Sequence, residues 1–304
     1  MPQTTTPHAD LIDPDVMLRI GHLELVSLQL VDGILTGRHR SKHQGGVCEF
    51  AEHRDYSAGD EIRLIDWRAY AKSDRYYIKR FEEETNLQVV MVIDASGSME
   101  FGLSTMSKFD YARVGCACLS RLVLRQRDAV GLAVVDQGLS RFVPPRAHAH
   151  HLQALCDGLR AARPQSTTDL ATGLLEAARR IRRRGTFLIW TDAFGERAEV
   201  TKAVRQLRQR GHEVVLLHVL APEETSFQFE DWSRFECIET GSMHLDLDPT
   251  AIRTRHLETF GRFVDDVRRD CQRLGCEYRL MPTDRPLSDA VSEFLHRRRA
   301  LKKV

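Results

Sequence analysis

The stretch Val89-Val90-Met91-Val92-Ile93-Asp94-Ala95-Ser96-Gly97-Ser98-Met99 decides the reading of this chain. Five apolar residues in succession, most of them β-branched, fit a strand covered on both faces, and the switch to Asp, Ser, Gly and Ser marks its carboxyl end. In open α/β sheets, ligands bind at such ends. The Asp94-x-Ser96-x-Ser98 loop offers one carboxylate and two hydroxyls on a backbone that Gly97 leaves free to curl. Hard oxygen donors of this kind suit Mg²⁺ or Mn²⁺ and not a soft-ligand metal.

Downstream of this stretch the pattern alternates. Helical spacing over Ser107 to Arg127 is followed by a strand at Ala129 to Val135 and a short strand at Ser140 to Val143, close enough to form an antiparallel hairpin. Helices are then expected near Ala147 to Ala161 and Asp169 to Arg184, a strand at Thr186 to Thr191, a helix at Glu196 to Gln209 and a strand at Glu213 to Leu220. Strand and helix alternating at this interval predict a three-layer, doubly wound, mostly parallel sheet. Beyond Pro222 the reading is short strands at Phe227 to Phe229, Phe235 to Ile238 and Met243 to Leu247 around the turn Glu239-Thr240-Gly241-Ser242. Asp248-Pro249 then opens a long helix to about Leu274, Cys276 to Met281 returns to strand, and Pro286 to Arg299 closes as a helix.

Upstream the character differs. Asp13-Pro14 reads as an N-cap and first helical residue, and Val16, Ile20, Leu23, Leu30 and Ile34 carry an apolar stripe along a helix from about Pro14 to Thr36. From Arg38 to Thr85 the strand-like pieces Val47 to Phe50, Ile62 to Trp67 and Tyr76 to Phe81 alternate with turn signals, a small β-rich insertion dense in both signs of charge. The expected organisation is therefore 1–85 as an N-terminal helix with a β-rich region, and 86–304 as the α/β domain with a β-hairpin insertion near 225–248.

Bulk properties narrow the class. The 304 residues allow about two domains, and the net charge of +1 gives no global attraction to nucleic acid or anionic membrane. No apolar run reaches signal-peptide or membrane-span length, so the expectation is a cytoplasmic protein without a membrane span. Seven cysteines with no Cys-x-x-Cys pair read as reduced, mostly buried thiols.

Two further segments belong with the opening stretch. Ser166-Thr167-Thr168-Asp169 immediately precedes a helix, and Phe187-Leu188-Ile189-Trp190-Thr191-Asp192 is a second apolar strand ending in an acid. If the two strands are neighbours, Asp94, Ser96, Ser98, Thr168 and Asp192 form an oxygen site for Mg²⁺ or Mn²⁺, with Thr167 and Ser166 as alternatives to Thr168. This arrangement resembles the von Willebrand factor A fold and its metal-ion-dependent adhesion site, with Thr168 opening a Thr-Asp-x-x-x-Gly-Leu run. The resemblance implies an open coordination position that accepts an acidic side chain from a partner. Ala193 stands where that family often has glycine.

A second resemblance covers most of the chain. Gly37-Arg38-His39-Arg40-Ser41, Cys48-Glu49-Phe50, Arg54-Asp55-Tyr56, Gly59-Asp60-Glu61-Ile62-Arg63, Ile65-Asp66-Trp67-Arg68 and Phe81-Glu82-Glu83-Glu84 are similar to the bacterial domain-of-unknown-function family fifty-eight. That family carries a von Willebrand factor A-like domain and is associated with MoxR-type AAA+ ATPases. The resemblance implies a non-enzymatic adaptor or chaperone-like partner of such an ATPase, acting with an unidentified protein client in complex assembly or maturation.

Other chemistries lack the residue patterns they need. A metal-dependent phosphohydrolase would use Asp94 or Ser96, but Asp94 lacks a second nearby acid in sequence and no Gly-x-Ser-x-Gly elbow surrounds Ser96. A zinc site from His39, His43, Cys48 and His53, or from His148, His150 and His151, lacks a pair-and-pair framework, and these read as exposed loop histidines. Arg179, Arg180, Arg182, Arg183 and Arg184, and Arg297, Arg298, Arg299, Lys302 and Lys303, fall at expected helix carboxyl ends, where cations favour the dipole; they read as solvated ends and not as a nucleic-acid surface.

Overall fold

The computed structural model describes residues 53–55, 77–79, 87–104, 106–165, 168–229, 232–236 and 244–301. The chain divides into two compact units, one of which is Arg38–Asn86. Within that unit β1 (His53–Asp55) pairs antiparallel with β2 (Tyr77–Lys79), Arg54 opposite Ile78. The second of these falls inside the expected Tyr76 to Phe81. The first was not anticipated, because His-Arg-Asp carries no apolar alternation. The helix expected at 14–36 and the strands at 47–50 and 62–67 lie outside the described residues.

The other unit is built on a six-stranded sheet. Its strands are β3 (Gln88–Asp94), β4 (Ala129–Val135), β5 (Leu139–Arg146), β6 (Gly185–Thr191), β7 (Glu213–Leu220) and β10 (Glu277–Pro282), in the order β10-β7-β6-β3-β4-β5. Every neighbouring pair is parallel except β4 with β5, the antiparallel edge expected from the short hairpin. Strand order reverses about β3, which puts its carboxyl end at a topological switch point.

Helices cover both faces, which is why the central strands are apolar on both faces. Val89, Met91 and Ile93 of β3 face α1 (Lys108–Arg125), α2 (His151–Ala161) and α7 (Leu287–Leu301). Val90 and Val92 face α3 (Leu170–Arg180), α4 (Arg197–Gln209) and α6 (Pro249–Arg273). This is the three-layer arrangement expected for a von Willebrand factor A-type domain. Side chains cap three of the helices: Ser107 accepts the Asp110 N–H, Asp169 the Thr172 N–H and Asp248 the Thr250 N–H.

One close approach carries a prediction. Gly115 of α1 lies against the indole of Trp190 in β6, and a Cβ there would overlap the ring. Gly115→Ala is expected to destabilise the fold by about 2–3 kcal/mol through overpacking, read as a lower denaturant midpoint at unchanged m-value.

The region after β7 departs from the sequence reading. Phe227 to Phe229 is not a strand: a short helix α5 (Pro222–Ser226) ends at Phe227, whose backbone is left-handed (φ 47°, ψ 49°). Its ring is buried and stacks on His256 of α6 at 4.1 Å, so tertiary packing overrides the local β-propensity of the phenylalanines. The expected hairpin follows as β8 (Ser233–Glu236) paired antiparallel with β9 (His244–Leu247). The turn at 239–242 lies outside the described residues. His151 is a further correction: it starts α2 and is buried, not exposed in a loop. The five cysteines among the described residues are buried free thiols, and no helix there is long and apolar enough to cross a membrane.

Candidate metal centre

Strands β3 and β6 run side by side with Ile93 opposite Trp190, so Asp94 and Thr191 emerge together and Asp192 follows one residue further on. Asp94 is buried and fully engaged. Its Oδ1 accepts the Ser96 N–H at 3.0 Å and the Thr168 hydroxyl at 3.4 Å; its Oδ2 accepts the Thr191 hydroxyl at 2.6 Å. The Ser96 and Ser98 hydroxyls lie 3.1 Å apart on either side of the first residue of a 3₁₀ turn, Gly97–Glu100.

The second loop is tied to the first through backbone bonds. Gln165 N–H donates to the Ala95 carbonyl at 2.7 Å, Ala95 N–H to the Val135 carbonyl at 2.7 Å, and Asp169 N–H to the Asp136 carbonyl at 2.7 Å. Thr168 is therefore delivered to Asp94 by a loop anchored on both sides. Ser166 and Thr167, the alternatives to it, lie outside the described residues. Asp94, Ser96, Ser98 and Thr168 are thus gathered at one sheet edge.

Asp192 takes a different environment. Its Oδ1 accepts the Phe194 N–H at 3.1 Å, and its Oδ2 accepts the ammonium of Lys108 at 2.8 Å. Lys108 is itself buried and also donates to Glu224 Oε1 of α5 at 2.6 Å, while its Nζ lies 5.1 Å from the centre of the Phe194 ring. Glu224 uses its other oxygen to accept the Ala221 N–H at 2.8 Å. Beneath the pair, His218 Nε2 lies 2.8 Å from the Asp192 carbonyl and Nδ1 2.9 Å from the Tyr278 hydroxyl; with the proton on Nε2, the imidazole donates to the carbonyl and accepts from the phenol. Burial, outweighing those bonds, pushes His218 down to about 4 and keeps it neutral. Ala193 adopts a left-handed backbone (φ 57°), the conformation for which glycine is the usual choice at this place.

Electrostatics follow from burial. Asp94 is raised from the usual 3.8 to about 6, first by burial and then by the charge of Asp192; the bonds from Thr191 and Ser96 offset part of this. Glu224 is raised by burial and pulled back by the Lys108 ammonium. Thr191, Lys108 and Glu224 escaped the sequence reading. Lys108 offered a signal, a cation directly before Phe109 in the first turn of a helix buried on almost every residue. Thr191 read as the last residue of its strand, and Glu224 had no signal at all.

The donor set fits a hard divalent cation. Lys108 is shared by Asp192 and the half-buried Glu224, and Asp94 is bonded only to hydroxyls and a backbone N–H, so the site holds two more carboxylates than cations. Among the described residues there is no group of three His, Cys, Asp or Glu side chains placed to hold a metal.

Uncharacterized proteins of Mycobacterium bovis and Mycobacterium tuberculosis are each 27% identical to this chain over 296 residues, covering 95% of it and 92% of their own length. Among solved structures, the chain is similar to the conserved hypothetical protein BatB of Bacteroides thetaiotaomicron (15% identity, 69% of this chain and 98% of that one, TM-score 0.45). It is also similar to an aerotolerance-related membrane protein of Bacteroides fragilis (15% identity, 69% and 97%, TM-score 0.46). The profile described as protein of unknown function DUF58 matches residues 52–262, more than half of the sequence, and the chain belongs to that family.

Proposed function

We propose that this protein is a non-enzymatic, metal-dependent protein–protein interaction module, an adaptor or chaperone-like partner of a MoxR-type AAA+ ATPase that works on a client protein in the cytoplasm during complex assembly or maturation. The observation that carries the metal reading is the excess of two carboxylates over cations beside a cluster of hydroxyls, which one Mg²⁺ or Mn²⁺ cancels. Asp94, Ser96, Ser98 and Thr168 would hold the ion. Asp192 would act mainly through its charge, because one of its oxygens is already paired with the Lys108 ammonium. When bound, the ion supplies a Lewis-acidic position that an acidic side chain of a partner completes.

The same geometry argues for binding over bond breaking. Both Asp94 oxygens accept hydrogen bonds, the Thr191 bond at 2.6 Å among them, which leaves this carboxylate poorly disposed to act as the nucleophile of a phosphohydrolase.

Calorimetric titration of the full chain with Mg²⁺ tests the site. Ser96→Ala and Thr168→Ala are each expected to weaken binding by about tenfold or more; equal affinity in wild type and both variants would sink the assignment. These variants are preferred to Asp192→Ala, which strands Lys108. The partner is tested by pull-down from native lysate with and without chelator: a AAA+ ATPase captured only with Mg²⁺ present supports the reading, and capture unaffected by chelator and by Ser96→Ala removes the metal from it.

A further inference from the structure

At the opposite end of the sheet from the metal centre, the two loops that lead from α3 into β6 and from α4 into β7 meet in a concavity of about 480 Å³. Its wall carries Arg179, Arg182, Arg183, Arg184 and Arg210, with the buried His212 among the lining residues. Gly211 takes a left-handed backbone (φ 82°) and passes close to the Arg184 side chain, so that a Cβ there would crowd it.

The charge in this wall exceeds what the fold requires. Two helix carboxyl ends, those of α3 and α4, present about half a negative charge each, so they absorb about one unit of the five. Among the described residues no carboxylate lines the concavity, and none pairs with any of the five guanidinium groups. Two neighbouring arginines are accounted for: Arg180 lies over the Phe142 ring at 5.4 Å, and Arg208 donates to the His212 carbonyl at 3.1 Å. Glu213, the first residue of β7, belongs to the other face of the sheet, where it accepts the Thr186 hydroxyl. A surplus of about four like charges therefore lines a concave surface, an arrangement that concentrates anions.

We propose that this arginine-lined concavity binds a small, multiply charged phosphate anion. Guanidinium forks match phosphate oxygens two at a time, and several forks lining one concavity from two loops suit a chain of phosphates. The volume lies in the range of small-ligand sites, and the wall is indented, whereas a nucleic-acid or membrane surface needs an extended face. His212 is held neutral, first by burial and further by Arg210, and its Nδ1 accepts the Gly185 N–H at 3.3 Å, so it adds no charge of its own.

The test is calorimetric titration of the full chain with sodium tripolyphosphate in low salt and EDTA, which separates it from the metal site. Saturable binding is expected, weakened by at least about tenfold in Arg183→Gln/Arg184→Gln and in Arg210→Gln, and unchanged in Arg262→Gln on the exposed face of α6. ATP binding more tightly than tripolyphosphate would identify the source as a nucleotide; equal affinity, with adenosine inert, would identify it as the phosphate chain alone. Absence of saturable heat, wild-type affinity in the arginine variants, or tight binding of single-stranded DNA without binding of tripolyphosphate would each overturn the proposal.

Discussion

Lys108→Met is expected to lower the stability of the protein by about 3–5 kcal/mol, a fall in Tm on the order of 10 °C for a domain of this size. The ammonium is buried between Asp192 at 2.8 Å and Glu224 at 2.6 Å, and methionine keeps the shape of the stem while removing the charge. Two carboxylates are then left in a low-dielectric setting without their cation. That is costlier than losing a surface ion pair, which contributes at most about 1 kcal/mol. Adding Glu224→Gln to Lys108→Met removes one stranded charge and is expected to recover part of the loss. A Tm within about 2 °C of wild type for Lys108→Met would show that water or protons replace the ammonium at little cost.

Asp94→Asn is expected to stabilise the metal-free protein at neutral pH and to abolish its stabilisation by Mg²⁺. The folded-state value of Asp94 is raised, from 3.8 to about 6, so the folded protein holds this proton more tightly than the unfolded chain. The contribution of the group is then fully present below about pH 4 and is lost as pH rises through about 6, a change of roughly 3 kcal/mol. Urea unfolding in chelator at pH 4, 5, 6 and 7 should accordingly show wild type losing ground to Asp94→Asn as pH increases. A divalent cation reverses this by favouring the ionised carboxylate, so Mg²⁺ should raise the wild-type Tm more at pH 7 than at pH 5 and leave Asp94→Asn unmoved. A constant stability difference across this range would show that Asp94 titrates at its ordinary value.

The α/β core was legible because its signals are local and redundant. Val89 to Ile93 and Phe187 to Trp190 are too uniformly apolar for any but a doubly covered strand, and Ser107, Asp169 and Asp248 cap the helices that follow them. Reading failed where a residue's partner is distant. Phe227 carries strand propensity but closes a helix because His256, 29 positions later, supplies a ring to stack on. His151 looked like loop because its burial depends on elements the local pattern does not reveal.

At the site the division is similar. The spacing Asp94-x-Ser96-x-Ser98 already places a carboxylate and two hydroxyls on one loop, and Phe187 to Asp192 already reads as a second apolar strand ending in an acid, whose nearness to Asp94 depends on the pairing of the two strands in the sheet. The two strand ends are local features, and the sequence by itself determined them, together with the order of strands and helices. Only the tertiary structure decided that Thr191 bonds Asp94 across two strands, that Lys108 from α1 takes an oxygen of Asp192, and that Glu224 from α5 shares that ammonium. These contacts span 97, 84 and 116 residues, and the burial that makes their charges consequential belongs to the packed domain and not to any segment of it.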